Sequence, residues 1–303
     1  MATQQDAPPD QDILAPALMS RLNQLTLTAP RSFPGSSAGK RLSKARGAEG
    51  MEFADHKEYS PGDDFRNIDW NVYARLDELV VKNFETEENL RIYVLIDSSA
   101  SMDFGSPNKM SIARRLAAAL AYIGFVNEDW TGVYSFRNTI NDKFVTAGKP
   151  KVRVLADFLR GLKPEGQSNF ADTFRDFTIE QTRPGLVFIL SDFWAADRLD
   201  AALKFLAYSR FCIAGLHLID PLEENPAIGG DMDLCDLESG ETISLTSRGE
   251  TEARYHQLIK EHCTRVAGIF AAYDGVYQKV STQDNLETLL LQTLKRKLLI
   301  RQR

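Results

Sequence analysis

The chain has 303 residues, 43% apolar and 26% charged, which excludes disorder throughout and fits an ordinary globular protein. Its 36 basic and 42 acidic residues leave a net charge of −6, so no overall basic field points to nucleic acid. Three widely spaced cysteines, Cys212, Cys235 and Cys263, form no CxxC pair; this excludes a zinc knuckle or disulfide framework and suits a reducing cytosol.

Residues 1–12 carry acids and prolines where a secretory leader needs basic and then apolar residues, and they read as a disordered tail. Residues 13–27 read as one amphipathic helix through Ile13, Leu14, Leu18, Leu22 and Leu25. Residues 29–50 are rich in Pro, Gly and Ser and carry Arg31, Lys40, Arg41, Lys44 and Arg46 with no acid before Glu49, which predicts a mobile basic loop. Within it, residues 35–41 fall one position short of a phosphate loop and place Arg41 where a magnesium-binding hydroxyl belongs, so nucleotide binding is not expected there. Residues 51–88 hold two strand-like runs, 52–59 and 79–84, around a Pro61-Gly62 turn. Such a piece is too small for an independent core and is expected to pack on the larger domain C-terminal to it.

From Arg91 onward strands and helices alternate. Strands are predicted at 91–96, 132–136, 140–145, 186–190, 211–219 and 269–273. Helices are predicted at 109–125, 152–162, 170–181, 197–208, 251–267 and 286–300. A polar insertion, 220–249, contains a hairpin-like Ser239-Gly240 turn. The unbroken apolar runs at 91–96 and 186–190 suit strands buried on both faces of a parallel sheet. The pattern predicts an α/β fold, a doubly wound and mostly parallel sheet with helices on both faces, plus an N-terminal α+β segment. The expected organisation is a tail, helix and basic loop over 1–50, a packed segment over 51–88, a core domain over 89–282 and a C-terminal helix over 283–303. No stretch reaches the roughly 20 apolar residues a membrane span needs, so a cytoplasmic protein is expected.

Sites in open α/β sheets form at the carboxyl ends of strands, near the point where strand order reverses. After Ile96 the chain reads Asp97-Ser98-Ser99-Ala100-Ser101, which puts one carboxylate and two hydroxyls on a tight loop. This oxygen-only set suits Mg²⁺ or Mn²⁺. Ser168, in the Gly166-Gln-Ser-Asn loop, and Asp192, after the strand ending at Leu190, offer two further oxygens, directly or through water. The alternative is helix capping, for which Asp and Ser are common, both at Asp97–Ser101 and at Ser168. Asp220 and Asp274 read as turn residues, and Asp103 as solvated. His56, His217, His256 and His262 show no metal spacing. Asp63, Asp64, Arg66, Asp69 and Trp70 suit either a partner surface or an internal ion-pair network. The basic residues Lys295, Arg296, Lys297, Arg301 and Arg303 are accounted for by the dipole of the predicted C-terminal helix.

The order DxSxS, then a loop hydroxyl, then an Asp after a later strand resembles the metal-ion-dependent adhesion site of von Willebrand factor A domains. That family most often has Thr where Ser168 stands, and Ser keeps the oxygen. A second resemblance, carried by Glu58-Tyr-Ser-Pro-Gly-Asp-Asp-Phe-Arg-Asn-Ile-Asp-Trp70, Ala74-Arg75, Val81-Lys82 and Asp97-Ser-Ser-Ala-Ser-Met102, is to the DUF58 family. Asp220-Pro221 with Glu223 or Glu224, and Asp236-Leu-Glu-Ser-Gly-Glu241, extend it over about residues 50–245. The resemblance implies a non-enzymatic, metal-dependent binding module or adaptor. It also implies a partner that supplies an Asp or Glu carboxylate: a MoxR-type AAA+ ATPase or its client in chaperone-like assembly. The competing reading is a Mg²⁺-dependent phosphoester hydrolase. Against it, the haloacid-dehalogenase pattern needs a second Asp where Ser99 stands, no GxSxG surrounds the serines, and Mg²⁺ activates water poorly beside Zn²⁺.

Overall fold

The structure is a computed structural model and describes residues 13–28, 36–37, 40–44, 52–61, 63–88, 90–146, 151–226, 231–235, 242–246, 249–295 and 299–302. The predicted tail over 1–12, Gly62 of the expected turn, and the Ser239-Gly240 turn lie outside the described residues. Two compact units are present, residues 31–90 and residues 1–30 with 91–303. The first boundary therefore falls inside the stretch expected to be a tail and loop.

The chain begins with α1 (Pro16–Leu22) and β1 (Leu25–Leu27). The single helix expected over 13–27 is thus cut short. Pro16 starts it with a preset φ, and the residues after Asn23 become a strand paired antiparallel with residues 300–302 at the other end of the chain.

The 31–90 unit contains β2 (Ser36–Ser37), β3 (Lys40–Lys44), β4 (Glu52–Glu58), α2 (Trp70–Leu76) and β5 (Val80–Glu88), with sheet order β2-β3-β5-β4. Within the basic stretch expected to be a mobile loop, residues 40–44 form a strand instead, paired with β5. The antiparallel register sets Arg41 opposite Glu88 and Lys44 opposite Glu85. Ion pairs form among the described residues of this unit. Lys57 binds Asp63, Arg66 binds Asp64, and His56 and Lys82 both bind Asp69. Asp69 also caps α2 through the Asn71 and Val72 amides. The His56 hydrogen bond, against some burial and with Lys82, pulls the Asp69 carboxyl down to about 2.

The larger unit continues with β6 (Arg91–Asp97), α3 (Lys109–Val126), β7 (Trp130–Phe136), β8 (Ile140–Thr146), α4 (Val152–Gly161), α5 (Phe170–Glu180) and β9 (Leu186–Ser191). Next come α6 (Leu199–Tyr208), β10 (Cys212–Ile219), α7 (Pro221–Glu224), β11 (Asp231–Cys235), β12 (Thr242–Thr246) and α8 (Gly249–Ala272). The chain closes with β13 (Val276–Ser281), α9 (Leu286–Thr288) and β14 (Ile300–Gln302). The main sheet has the order β13-β10-β9-β6-β7-β8, all parallel except the edge strand β8. This is the predicted doubly wound α/β sheet.

Both central strands, β6 and β9, are buried along almost their whole length, as their continuous apolar runs require. On one face Tyr93, Leu95, Tyr134 and Phe136 meet Phe170, Phe174 and Phe177 of α5 and residues of α6 and α8. The rings meet edge to face, Tyr93 with Phe177 at 5.4 Å and Phe136 with Phe174 at 5.5 Å. On the other face lies α3, apolar nearly all round and accordingly buried. Its Gly124 sits so close to Thr131 and Ile92 that a Cβ there would fall 2.5 Å from the Thr131 hydroxyl. The α3 C-cap, Asn127, accepts the Thr26 hydroxyl and donates to the Leu25 carbonyl, which fastens β1 to this helix.

Two C-terminal expectations are corrected. Residues 269–272 belong to α8, not to a strand: Val266 and Phe270, one helical turn apart, are both fully buried, and a turn through Tyr273 and Asp274, the latter at φ 53°, follows the helix. The strand comes next, as β13. The helix expected over 283–303 is α9 continued by a π-helical turn, Leu289–Leu294, and the chain then becomes β14. The polar insertion does contain an antiparallel hairpin, β11 with β12. Among the described residues no helix is long and apolar enough to cross a membrane.

Candidate metal centre

After β6 the chain crosses to β7 on one side, and it later returns to lay β9 on the other. The carboxyl ends of β6 and β9 are therefore neighbours at the switch point of the sheet, where ligand crevices form. Ile96 pairs with Leu190, so Asp97 and Ser191 leave the sheet side by side.

Asp97 is 1% exposed and is surrounded by donors. Its Oδ1 accepts the Ser99 amide at 2.9 Å and the Ser168 hydroxyl, and its Oδ2 accepts the Ser191 hydroxyl at 2.6 Å. The Ser99 and Ser101 hydroxyls lie 3.0 Å apart on the short 3₁₀ turn after β6. Two backbone bonds tie this loop to the one carrying Ser168: the Ala100 amide to the Gly166 carbonyl and the Glu165 amide to the Ser98 carbonyl, each 2.8 Å. The capping alternative for Ser168 does not hold, because Asn169 caps α5 and Ser168 turns to Asp97 instead. Burial, and then the nearby Asp192 charge, push the Asp97 carboxyl above the usual range, although the Ser168, Ser191 and Ser99 hydrogen bonds oppose them.

Four of the five predicted residues thus converge, Asp97 with Ser99, Ser101 and Ser168. Asp192 is close enough to repel Asp97 but is engaged elsewhere. Its Oδ2 accepts the Lys109 ammonium at 2.7 Å, and its Oδ1 accepts the Trp194 amide at 3.3 Å. Lys109 is wholly buried and also donates to Glu223 at 2.5 Å. It is the first residue of α3, beside the positive end of the helix dipole, where a cation is unfavourable. Burial lowers its pKa, and the Asp192 and Glu223 carboxylates more than reverse this, leaving the ammonium above the ordinary lysine value.

Glu223 is held in turn by the capping box of α7. It accepts the Asp220 amide at 2.9 Å, Asp220 accepts the Leu222 amide at 2.9 Å, and Thr282 donates to Asp220 at 2.6 Å. Asp220 is therefore a cap, in agreement with its reading as a turn residue. Gly105, at φ +99°, lets the loop before α3 pass against it; a Cβ there would fall 2.4 Å from Asp220 Oδ2. The Trp194 indole reaches Glu223 at 3.4 Å and stacks on His262 at 4.7 Å. His262 neighbours the buried His217, whose Nδ1 meets the Tyr277 hydroxyl at 2.7 Å.

Lys109, Ser191 and Glu223 are site residues that the sequence alone does not single out. Lys109 begins an apolar helix, and a first-turn lysine ordinarily reads as solvated. Glu223 is visible only as part of a family pattern. Ser191 has a usable signal, since it shares the end of a buried strand with Asp192.

Among the described residues no three His, Cys, Asp or Glu side chains form a metal-ligating group. The Asp97 cluster is of another kind, hard oxygens only: the carboxylate with the Ser168 hydroxyl on it, and the paired Ser99 and Ser101 hydroxyls on the loop whose Ser99 amide it accepts. That donor set fits Mg²⁺ or Mn²⁺ bound with retained waters. A cleft of about 300 Å³ opens beside Ser168, lined also by Gln167, Asn169 and Arg198.

Residues 55–265 match the family described as protein of unknown function DUF58. An uncharacterized protein of Mycobacterium bovis is 26% identical over 235 residues, covering 76% of this chain and 74% of its own length. An uncharacterized protein of Mycobacterium tuberculosis matches to the same extent. Two solved structures align with 69% of this chain and 98% of their own. One, described as the conserved hypothetical protein BatB from Bacteroides thetaiotaomicron, shows 14% identity and a TM-score of 0.43. The other, an aerotolerance-related membrane protein from Bacteroides fragilis carrying multiple mutations to serine, shows 18% identity and a TM-score of 0.44.

Proposed function

The chain belongs to the DUF58 family, and from that premise we propose that it is a non-enzymatic, Mg²⁺-dependent protein-binding module with a von Willebrand factor A-like adhesion site. The observation that carries this reading is the buried Asp97 carboxylate, joined to Ser168, Ser191 and the Ser99 amide at the switch point of the sheet. Asp97, Ser99, Ser101 and Ser168 would hold the ion, with Asp192 outside them. Bound there, Mg²⁺ supplies a positive centre that accepts a carboxylate from another protein.

The chain's own residues prepare the docking. Burial keeps water from screening the Asp97 region, so a charge placed there acts strongly on an incoming acid. Arg198 and the amide side chains of Gln167 and Asn169 line the adjoining cleft and suit an acidic side chain. The partner class implied by the family resemblance is a MoxR-type AAA+ ATPase or its client. Ion and partner are linked, each raising affinity for the other by the same factor.

The hydrolase alternative lacks support among the side chains. Ser99 stands where the haloacid-dehalogenase pattern needs an acid, and the neighbouring carboxylate, Asp192, is tied to Lys109. Calorimetric titration of Mg²⁺ into the wild type and Asp97→Ala tests the reading. Binding is expected in the first and lost in the second, with both circular dichroism spectra folded; equal binding in the two refutes it. Capture of a partner from lysate with Mg²⁺ but not with chelator identifies the ligand, and turnover of a chromogenic phosphoester lost in Asp97→Ala favours the hydrolase.

A further inference from the structure

The least expected side chain of the switch point is a cation already built into it. Lys109 has no exposed surface, and its ammonium is shared between Asp192 at 2.7 Å and Glu223 at 2.5 Å. An isolated buried ammonium costs several kcal/mol and is tolerated only with close partners. Here the partners come from two other segments, the residue after β9 and the short helix α7 that follows β10. The Asp192 side of the site therefore carries its own counter-charge, whereas among the described residues no cation bonds Asp97.

The charges separate accordingly. Asp192, Glu223 and Lys109 sum to −1, with the ammonium bonded to both carboxylates, whereas the partners of Asp97 among the described residues are hydroxyls and an amide. A divalent ion held by a single carboxylate keeps a net charge of +1, and one held by two carboxylates is neutral. The difference decides how strongly the site needs an acid from outside.

We propose that Lys109 is the specificity determinant of this site, a tethered cation that retains Asp192 so that a divalent ion at Asp97, Ser99, Ser101 and Ser168 gains one protein carboxylate and keeps its demand for a foreign one. This deepens the binding reading and rests on it. Freed from Lys109, Asp192 becomes a second carboxylate for the ion, which then binds more tightly and recruits less. Lys109 acts through Asp192, so it is a positioning residue.

The test is calorimetry of MgCl₂ and MnCl₂ on the full-length wild type, Asp97→Asn, Asp192→Asn, Lys109→Met and Lys109→Arg, with thermal unfolding in Mg²⁺ and in chelator. Asp97→Asn is expected to abolish binding, while Asp192→Asn weakens it by less than about tenfold, because Asp192 is not a direct ligand. Lys109→Met is expected to bind Mg²⁺ on the order of tenfold more tightly and to recover in Mg²⁺ the stability it loses in chelator. Lys109→Arg, with its charge kept, is expected to show neither effect. If Asp192→Asn abolishes binding as Asp97→Asn does, or if Lys109→Met binds as the wild type does, the inference is overturned and the binding reading stands. If only Lys109→Met binds, or if no form binds, the wild type holds no ion for Lys109 to tune and both readings fall. Should Lys109→Met fail to fold, the comparison of Asp192→Asn with Asp97→Asn decides.

Discussion

Ser191 donates its hydroxyl to Asp97 across the two central parallel strands, at 2.6 Å, and accepts the Phe193 amide at 2.9 Å on the same oxygen. One side chain thus satisfies a buried carboxylate and a buried backbone N–H, the latter in a residue held at φ 53°. Ser191→Ala removes this donor from Asp97 Oδ2 and this acceptor from the Phe193 amide. The expected cost is about 1–3 kcal/mol, the range for a buried polar group left unpaired. Urea denaturation checks it, and a midpoint equal to that of the wild type shows the bond to be dispensable.

Ser168 offers the binding reading its sharpest side-chain test. Its hydroxyl faces Asp97 from a loop anchored by the Gly166 and Glu165 backbone bonds. Ser168→Ala is expected to weaken Mg²⁺ by about tenfold, the equivalent of one lost bond to a charged group. Ser168→Thr keeps the oxygen and is expected to restore wild-type affinity. Equal affinity in Ser168→Ala removes this residue from the ligand set.

The parts of the fold legible in the sequence are those whose burial is local in origin. The apolar runs of β6 and β9 announce strands covered on both faces, and the acids and hydroxyls after them mark the site. What escapes depends on partners far away in the chain. The Lys40–Lys44 stretch looks like a loop until Glu85–Glu88 is laid beside it. Residues 269–273 look like a strand until Val266 and Phe270 are seen to share one buried helix face. Lys109 reads as solvated because its partners lie 83 and 114 positions onward.

Gly215 in β10 is covered by the Phe270 ring of α8, and a Cβ there would stand 2.2 Å from that ring's Cζ. Gly215 also pairs with Ile189 on one side and Tyr277 on the other, so the strand cannot retreat without disturbing two ladders. Gly215→Ala is expected to cost about 1–3 kcal/mol by overpacking. A drop in denaturation midpoint at unchanged m-value checks this.

His217 gives the fold an acid limit. Burial first, and then His262, push its imidazole from 6.5 down to about 3, so the folded protein holds it neutral where the unfolded chain is protonated. The unfolded state therefore binds the extra proton between these values. The stabilisation is complete above pH 6.5 and is lost as pH falls towards 3, at up to about 1.4 kcal/mol per pH unit. Asp97 works in the opposite sense, since its raised pKa makes the ionised form costly in the fold as pH rises. The informative quantity is thus the difference between wild type and His217→Gln, measured by urea denaturation across the acid range. That difference is expected to shift against the wild type as pH falls, whatever Asp97 contributes to both. A difference independent of pH shows that His217 titrates alike in both states.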